Sequence, residues 1–300
     1  MKILTVDIGG TFIKYARMSE DRKILSRGKI PTPKSGRNAL VDTLAALYAE
    51  KPVDGIAISL PGIIDSENGT VVMGGALRYN DGFPLRDALQ ERCPVPICLE
   101  NDAKCAALAE AVDGALSDVP NGMVLIFGTM IGGALICDHQ LYRGGRFSAG
   151  EVSYLITDRD GIPTPNGVWG NRCGVPALCR LFAQAKNLPV DAVDGKAVFD
   201  ALHAGDPDAA DCLRKYASEI AVQIFNLQTV YDPDRFAIGG GISAQPALLD
   251  AIRSRLKQLY AACPYEIRQA EVVTCKYQND ANLYGALQCF LASGSASVSN

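Results

Sequence analysis

Residues 3–18 read ILTVDIGGTFIKYARM, two apolar runs hinged on a polar centre that carries two glycines. Ile3 to Val6 predicts a buried strand, Phe12 to Met18 a second, and Asp7-Ile8-Gly9-Gly10-Thr11 the turn between them. Beyond this hairpin, Ala39 to Glu50 has helical spacing and Gly55 to Leu60 is a further apolar strand stopped by Pro61-Gly62. The order is strand, strand, helix, strand. Val95 to Leu99 predicts another strand and Ala103 to Val112 a helix, so the pair Asn101-Asp102 falls on their junction. The opening layout then returns in Met123 to Phe127, a loop from Gly128 to Gly133, and Ala134 to Cys137, which points to an internal duplication. Gly161 to Gly174 reads as a long loop. Helices follow over 176–186, 196–204, 208–230, 246–259 and 282–292, with strands over 235–238 and 271–275 and a small polar tail over 293–300. Hairpins joined to αβ units in two similar halves predict an α/β protein with two lobes and a cleft.

Composition narrows the chemistry. Three hundred residues, 48% apolar and 21% charged, predict about two globular domains and exclude a disordered or fibrous chain. Twenty-nine Lys and Arg against 33 Asp and Glu leave a formal charge of −4, so neither nucleic acid nor an anionic membrane is an expected partner. With His139 and His203 the only histidines, a general base is expected to be a carboxylate. Ten cysteines with no CxxC pair predict free thiols, and MKILTVD lacks a signal-peptide core, so a cytoplasmic location is expected. Val119 to Cys137 carries no charge over 19 residues, but Pro120, Asn121, four glycines and a strand-like alternation argue against a membrane span.

Three glycine-rich turns each follow an apolar strand: 7–11, 128–133 and 239–243. Glycine lets backbone N–H groups approach an anion, so three such turns together can hold a polyphosphate, although each alone reads first as an ordinary tight hairpin. Neither a Walker loop nor GxGxxG is present. Asp7 would repel phosphate unless a divalent cation lay between them, which makes it a candidate magnesium ligand through water, or else a plain turn former. Lys14, seven residues on, can face the phosphates or solvent. Asn101-Asp102 is either a helix cap or a sugar-binding amide beside the base that takes a hydroxyl proton.

As a set, DIGGTFIK (7–14), LPG (60–62), ENDAKCAALAE (100–110), GTMIGGA (128–134), LYRGG (141–145), AGE (149–151) and GGGIS (239–243) resemble the ROK family of bacterial sugar kinases, in its order and spacing over about residues 1 to 290. The resemblance implies an actin/hexokinase-type, ribonuclease H-like fold: an N-terminal α/β lobe over 1–115, completed by a C-terminal helix over 288–300, and a C-terminal lobe over 116–287. It further implies ATP, Mg2+, and transfer of the γ-phosphate to a sugar hydroxyl, usually on C6, by a homodimer. Asp102 then matches the catalytic base, Asn101 and Glu151 the sugar ligands, with Gly62 beside them, and Asn80, next to Asp81, a looser sugar contact. Gly9, Gly10, Thr11, Lys14, Gly128, Thr129, Gly132, Gly239, Gly240 and Gly241 match the nucleotide-binding turns. Met130 and Ala134 stand where glycines are common.

One departure bears on the substrate. Most members have a His three residues after the Glu and a cysteine run that binds structural zinc; here the residues are Glu151-Val152-Ser153-Tyr154 and only Cys173-Gly174 remains. No structural zinc is therefore expected. This zinc-less subset resembles β-glucoside kinases, acting on C6 of cellobiose or aryl β-glucosides, with Tyr154 or Trp169 available to stack on the aglycone or, for Trp169, to pack in the core. Glucokinase, fructokinase and amino-sugar kinase are the alternatives within the family. A non-catalytic sugar sensor is the alternative of another class, but repressors of this type carry a helix-turn-helix ahead of the first loop, which here starts at residue 7.

Overall fold

A computed structural model describes residues 1–158 and 167–296. Two compact units emerge: 1–113 with 141–149 and 280 onward, and 114–140 with 150–279.

In the first unit, β1 (Lys2–Ile8) and β2 (Phe12–Ser19) form the expected hairpin, and β3 (Ile24–Pro31) extends it antiparallel. After α1 (Arg37–Glu50), β4 (Gly55–Leu60) pairs parallel with β1. A ribbon of β5 (Ile63–Asp65) and β6 (Thr70–Met73) and the short α2 (Leu85–Gln90) lead to β7 (Ile97–Asn101), parallel to β4, and to α3 (Asp102–Asp113). The sheet order is β3-β2-β1-β4-β7. Every residue of β4 is buried, as a strand covered on both faces requires. Ile56, Ile58 and Leu60 join Leu40, Leu44 and Leu47 of α1 in one core, while Ala57 shares the other with Leu283, Leu287 and Phe290.

The second unit repeats this plan. β8 (Gly122–Phe127) and β9 (Ile131–Cys137) form an antiparallel hairpin, and β10 (Gln140–Tyr142) follows. Among the described residues four helices come next: α4 (Trp169–Cys173), α5 (Val175–Lys186), α6 (Gly195–His203) and the long α7 (Pro207–Tyr231). β11 (Arg235–Gly239) pairs parallel with β8, α8 (Pro246–Ala262) crosses, and β12 (Glu271–Thr274) pairs parallel with β11. The order β10-β9-β8-β11-β12 matches that of the first sheet, so the duplication read from the sequence is structural and the fold is the expected actin/hexokinase-type α/β. The last helix, α9 (Ala281–Ala296), belongs to the first unit.

Three expectations are corrected. The loop 128–133 shrinks to 128–130, because β9 begins at Ile131 and carries Gly132 and Gly133 in the ladder opposite Ile126 and Leu125. A Cβ at Gly133 would lie 2.4 Å from the Gly150 carbonyl, so packing against 150–152 requires glycine there. The long loop 161–174 contains α4; its part over 161–166 lies outside the described residues. Trp169 is fully buried and meets Phe127 edge-on, ring centroids 6.3 Å apart, so it is a core anchor and unavailable to stack on a sugar. Among the described residues no helix is long and apolar enough to cross a membrane, and the uncharged stretch 119–137 forms β8, the turn and β9.

Candidate functional site

The end of β7 carries a polar network. Asn101 closes the strand and its Oδ1 accepts the Lys104 N–H at 3.0 Å, which caps α3 and starts the helix at once. Its Nδ2 donates to the Gly62 carbonyl at 2.8 Å and to Asp102 Oδ1 at 3.1 Å, and the Ala103 N–H donates to the same Oδ1 at 2.8 Å. One dipeptide therefore both starts the helix and holds the Asp102 carboxylate in place. Gly62 acts through Asn101. Its φ is +104° and a Cβ would lie 1.9 Å from the Met73 carbonyl, so glycine is needed to aim that carbonyl at the amide.

Behind this pair lie residues the sequence reading missed. Glu100, buried, accepts the Asn101 N–H on Oε1 at 2.8 Å and Arg143 Nε on Oε2 at 2.7 Å. Burial works against the Arg143 charge, but Glu100 outweighs it and the guanidinium pKa is raised. Lys104, also buried, donates Nζ to the Phe147 carbonyl at 3.0 Å. Both charges anchor segment 141–149 to the strand end. Their signal in the sequence was the charged ENDAK run inside an apolar surrounding.

Asn80 sits in a short 3₁₀ turn over Arg78–Asn80, is 1% exposed, and neither polar atom of its amide has a hydrogen-bond partner. An unpaired buried amide is costly, and a ligand hydroxyl is the type of group that would satisfy it. Its neighbour Asp81 is a turn former: the Gly74 N–H at 2.8 Å, then Arg78, hold its carboxyl below the usual range.

At the first turn the Gly9 N–H is taken by the Phe12 carbonyl at 3.0 Å, so the donors left there are those of Gly10 and Thr11. Segment 32–34 occupies the carbonyls. Thr32 Oγ1 bonds Gly9 O at 2.7 Å, the Thr32 N–H bonds Thr11 O at 3.0 Å, and Lys34 Nζ bonds Gly10 O. Asp7 Oδ1 accepts from Asn282 Nδ2 at 2.9 Å and Ser59 Oγ at 3.4 Å, while Oδ2 stands 4.0 Å from Lys14 Nζ, its cross-strand partner. Burial pushes the Asp7 pKa up, against the Asn282 bond, the Lys14 charge and Ser59. Ser59 and Asn282 had no local signal in the sequence. A carboxylate at this turn suits magnesium held through water, since that ion takes one or two carboxylates plus phosphate oxygens. Among the described residues no group of three His, Cys, Asp or Glu side chains is arranged to hold a metal by itself.

In the second unit the Gly128 N–H bonds the Met130 carbonyl at 2.9 Å, and the Val175 N–H bonds the Gly128 carbonyl at 2.8 Å. Thr129 lies at the tip. Gly239 ends β11, and Gly240, at φ +94°, would place a Cβ 2.1 Å from the Phe127 carbonyl. Gly241 differs, since a Cβ there would have nothing within 4 Å, and at Gly128 its nearest neighbour would be 3.9 Å away. Packing accounts for Gly240 and leaves Gly128 and Gly241 unexplained, as glycines that admit a ligand would be. Glu151 precedes a short turn over Val152–Tyr154 whose Ser153 Oγ donates to Ile131 O at 2.6 Å and accepts the Ile131 N–H at 3.0 Å. Ser153 thereby fixes Glu151 and the half-exposed Tyr154 beside the second turn. Met130 is partly exposed at that turn and Ala134 is buried within β9.

The geometry has close relatives. A beta-glucoside kinase of Klebsiella pneumoniae is 36% identical over 292 residues, 97% of this chain and 96% of that protein. A ROK family protein of Streptococcus pneumoniae, solved in complex with sucrose, has a TM-score of 0.88 at 30% identity, covering 99% of this chain and 100% of that one. A ROK family glucokinase of Streptomyces griseus, solved with glucose and AMPPNP, has a TM-score of 0.84 at 28% identity, covering 96% and 98%. The ROK family pattern itself matches residues 3–293, nearly the whole sequence, and on that match the chain belongs to the ROK family.

Proposed function

We propose that the acceptor is a β-glucoside or β-linked disaccharide such as cellobiose, phosphorylated on C6. The chain is an ATP-dependent carbohydrate kinase of its family. In this reading Asp102 accepts the proton of the attacking hydroxyl, and its orientation by the Ala103 N–H and Asn101 Nδ2 is the observation that carries the assignment. Asn101, Asn80 and Glu151 bind sugar hydroxyls. Asn101 and Asn80 are buried amides, and Asn80 gains in a bound sugar the partners it otherwise lacks.

The turns at Gly9–Thr11, Gly128–Thr129 and Gly239–Gly241 hold the nucleotide, with Lys14 offsetting phosphate charge. Magnesium, when bound through water at Asp7, neutralises charge on the transferred phosphoryl group. Phosphoryl transfer needs positioning and electrostatics more than covalent chemistry, which is the service these residues supply. Tyr154, half-exposed where most family members have His, presents an aromatic face to a group beyond C1.

The test is ADP release with glucose, cellobiose, salicin, fructose and N-acetylhexosamines as acceptors, with kcat/KM for each. A β-glucoside should exceed glucose, and Tyr154→His should narrow the preference toward glucose without abolishing transfer. Glucose ahead of every β-glucoside by tenfold or more would replace this acceptor with free glucose.

A further inference from the structure

We propose that Cys98 and Cys289 are a redox-active thiol pair that closes to a disulfide when the protein meets hydrogen peroxide. Their sulfurs are 2.9 Å apart, in hydrogen-bond contact, although they are 191 residues apart in the chain. Both are free thiols, one on β7 and one on α9, and both belong to the first unit. Cys98 and Glu100, two residues apart on a strand, share a face. On that face Arg143 pairs with Glu100, and its guanidinium is close enough for the Cys289 sulfur to act on it electrostatically.

These contacts divide the roles. The guanidinium meets the negative charge of an attacking Cys289 sulfur, whereas the bond to Cys289 and burial push the Cys98 thiol up and keep its proton in place. A small neutral oxidant suits the site, because Cys98 is only partly exposed and Cys289 is buried. The Cys289 sulfur attacks one peroxide oxygen; the O–O bond breaks, the departing hydroxide takes up the Cys289 thiol proton and leaves as the first water, and Cys289 becomes a sulfenic acid. The Cys98 sulfur then attacks that sulfur; the S–O bond breaks and the second water leaves with the Cys98 proton. Two thiols give up two electrons and one peroxide becomes two waters. The new bond ties the strand that ends in Asn101 to the last helix. Cys105 on α3, buried and close enough to act on both sulfurs electrostatically, is the competing partner.

The full chain is treated with hydrogen peroxide and followed by intact mass, peptide mapping and thermal melting. The expected product has lost two hydrogens, maps to Cys98 joined to Cys289, melts on the order of 5 °C higher, and reverts with dithiothreitol. Cys98→Ser should instead show a Cys289 sulfenic acid that dimedone captures, and Cys289→Ala should leave the Cys98 thiol alkylatable. The proposal is overturned if both thiols still alkylate after unfolding at a dose that fully oxidises the exposed Cys137, or if the main product joins either to Cys105. None of these readouts involves kinase activity, so the result stands apart from the proposed acceptor.

Discussion

The turn between β1 and β2 and the turn between β8 and β9 occupy the same place in two sheets of the same strand order. One pair below the first turn, Asp7 faces Lys14; one pair below the second, Ile126 faces Gly132. The duplication has kept the backbone and given the ions to one copy. In the proposed reading this division has a physical reason, since a second carboxylate near bound phosphate would add repulsion. The second copy contributes backbone and space, and its glycines divide into those that packing demands and those it does not.

If proton acceptance lies in the first unit, Asp102→Asn has the largest effect. Turnover should fall by roughly 10² to 10⁴ while sugar binding persists, because Asn keeps an oxygen for the Ala103 N–H. Steady-state kinetics with calorimetric sugar binding checks this, and retention of a tenth of the turnover would move the base elsewhere. Next comes Gly240→Ala, which forces a Cβ onto the Phe127 carbonyl at a positive φ and should cost roughly 3 kcal/mol in denaturant unfolding.

Asp7→Asn sharpens the contrast between the turns through pH. Burial raises the folded pKa of Asp7 above 3.8, so ionising it in the native state costs stability that grows as pH rises through the folded value. The Asn variant should therefore melt higher than wild type at pH 7, converge with it near pH 4, and lose phosphoryl transfer at both. Melting curves across that range test the sign. Smallest on stability is Gly241→Ala, within about 0.5 kcal/mol because its Cβ meets nothing, yet it should raise KM for ATP several-fold. An unchanged KM would return Gly241 to the ordinary turns.

Legibility followed the range of the interactions. The hairpin around Gly9 and the strand-to-helix junction at Asn101-Asp102 are set by neighbours in sequence, and they stand where periodicity places them. β3 escaped because ILSRGKIP spaces its apolar residues with Ser, Arg, Gly and Lys; its residues alternate between half-buried and exposed, and it gains its ladder from β2. α2 is too short for a helical period to show. Asn282 reaches Asp7 across 275 residues and Arg143 reaches Glu100 across 43, distances over which no local pattern survives. Trp169 read as a loop residue because Gly and Pro surround it, whereas tertiary packing made it a core anchor.

The close seating of α9 also sets an order of assembly. Gly285 lies so near α3 that a Cβ would fall 1.7 Å from the Cys105 carbonyl, and Phe290 fills the space beside Gly55. During synthesis α9 follows the whole of 114–279, so one face of the first sheet waits uncovered, and Asp7 waits for Asn282. The second unit draws its residues from 114–140 and 150–279 and has its core in hand earlier. Of the two units, the one begun earlier is therefore completed later, against the usual progression of domains along the chain.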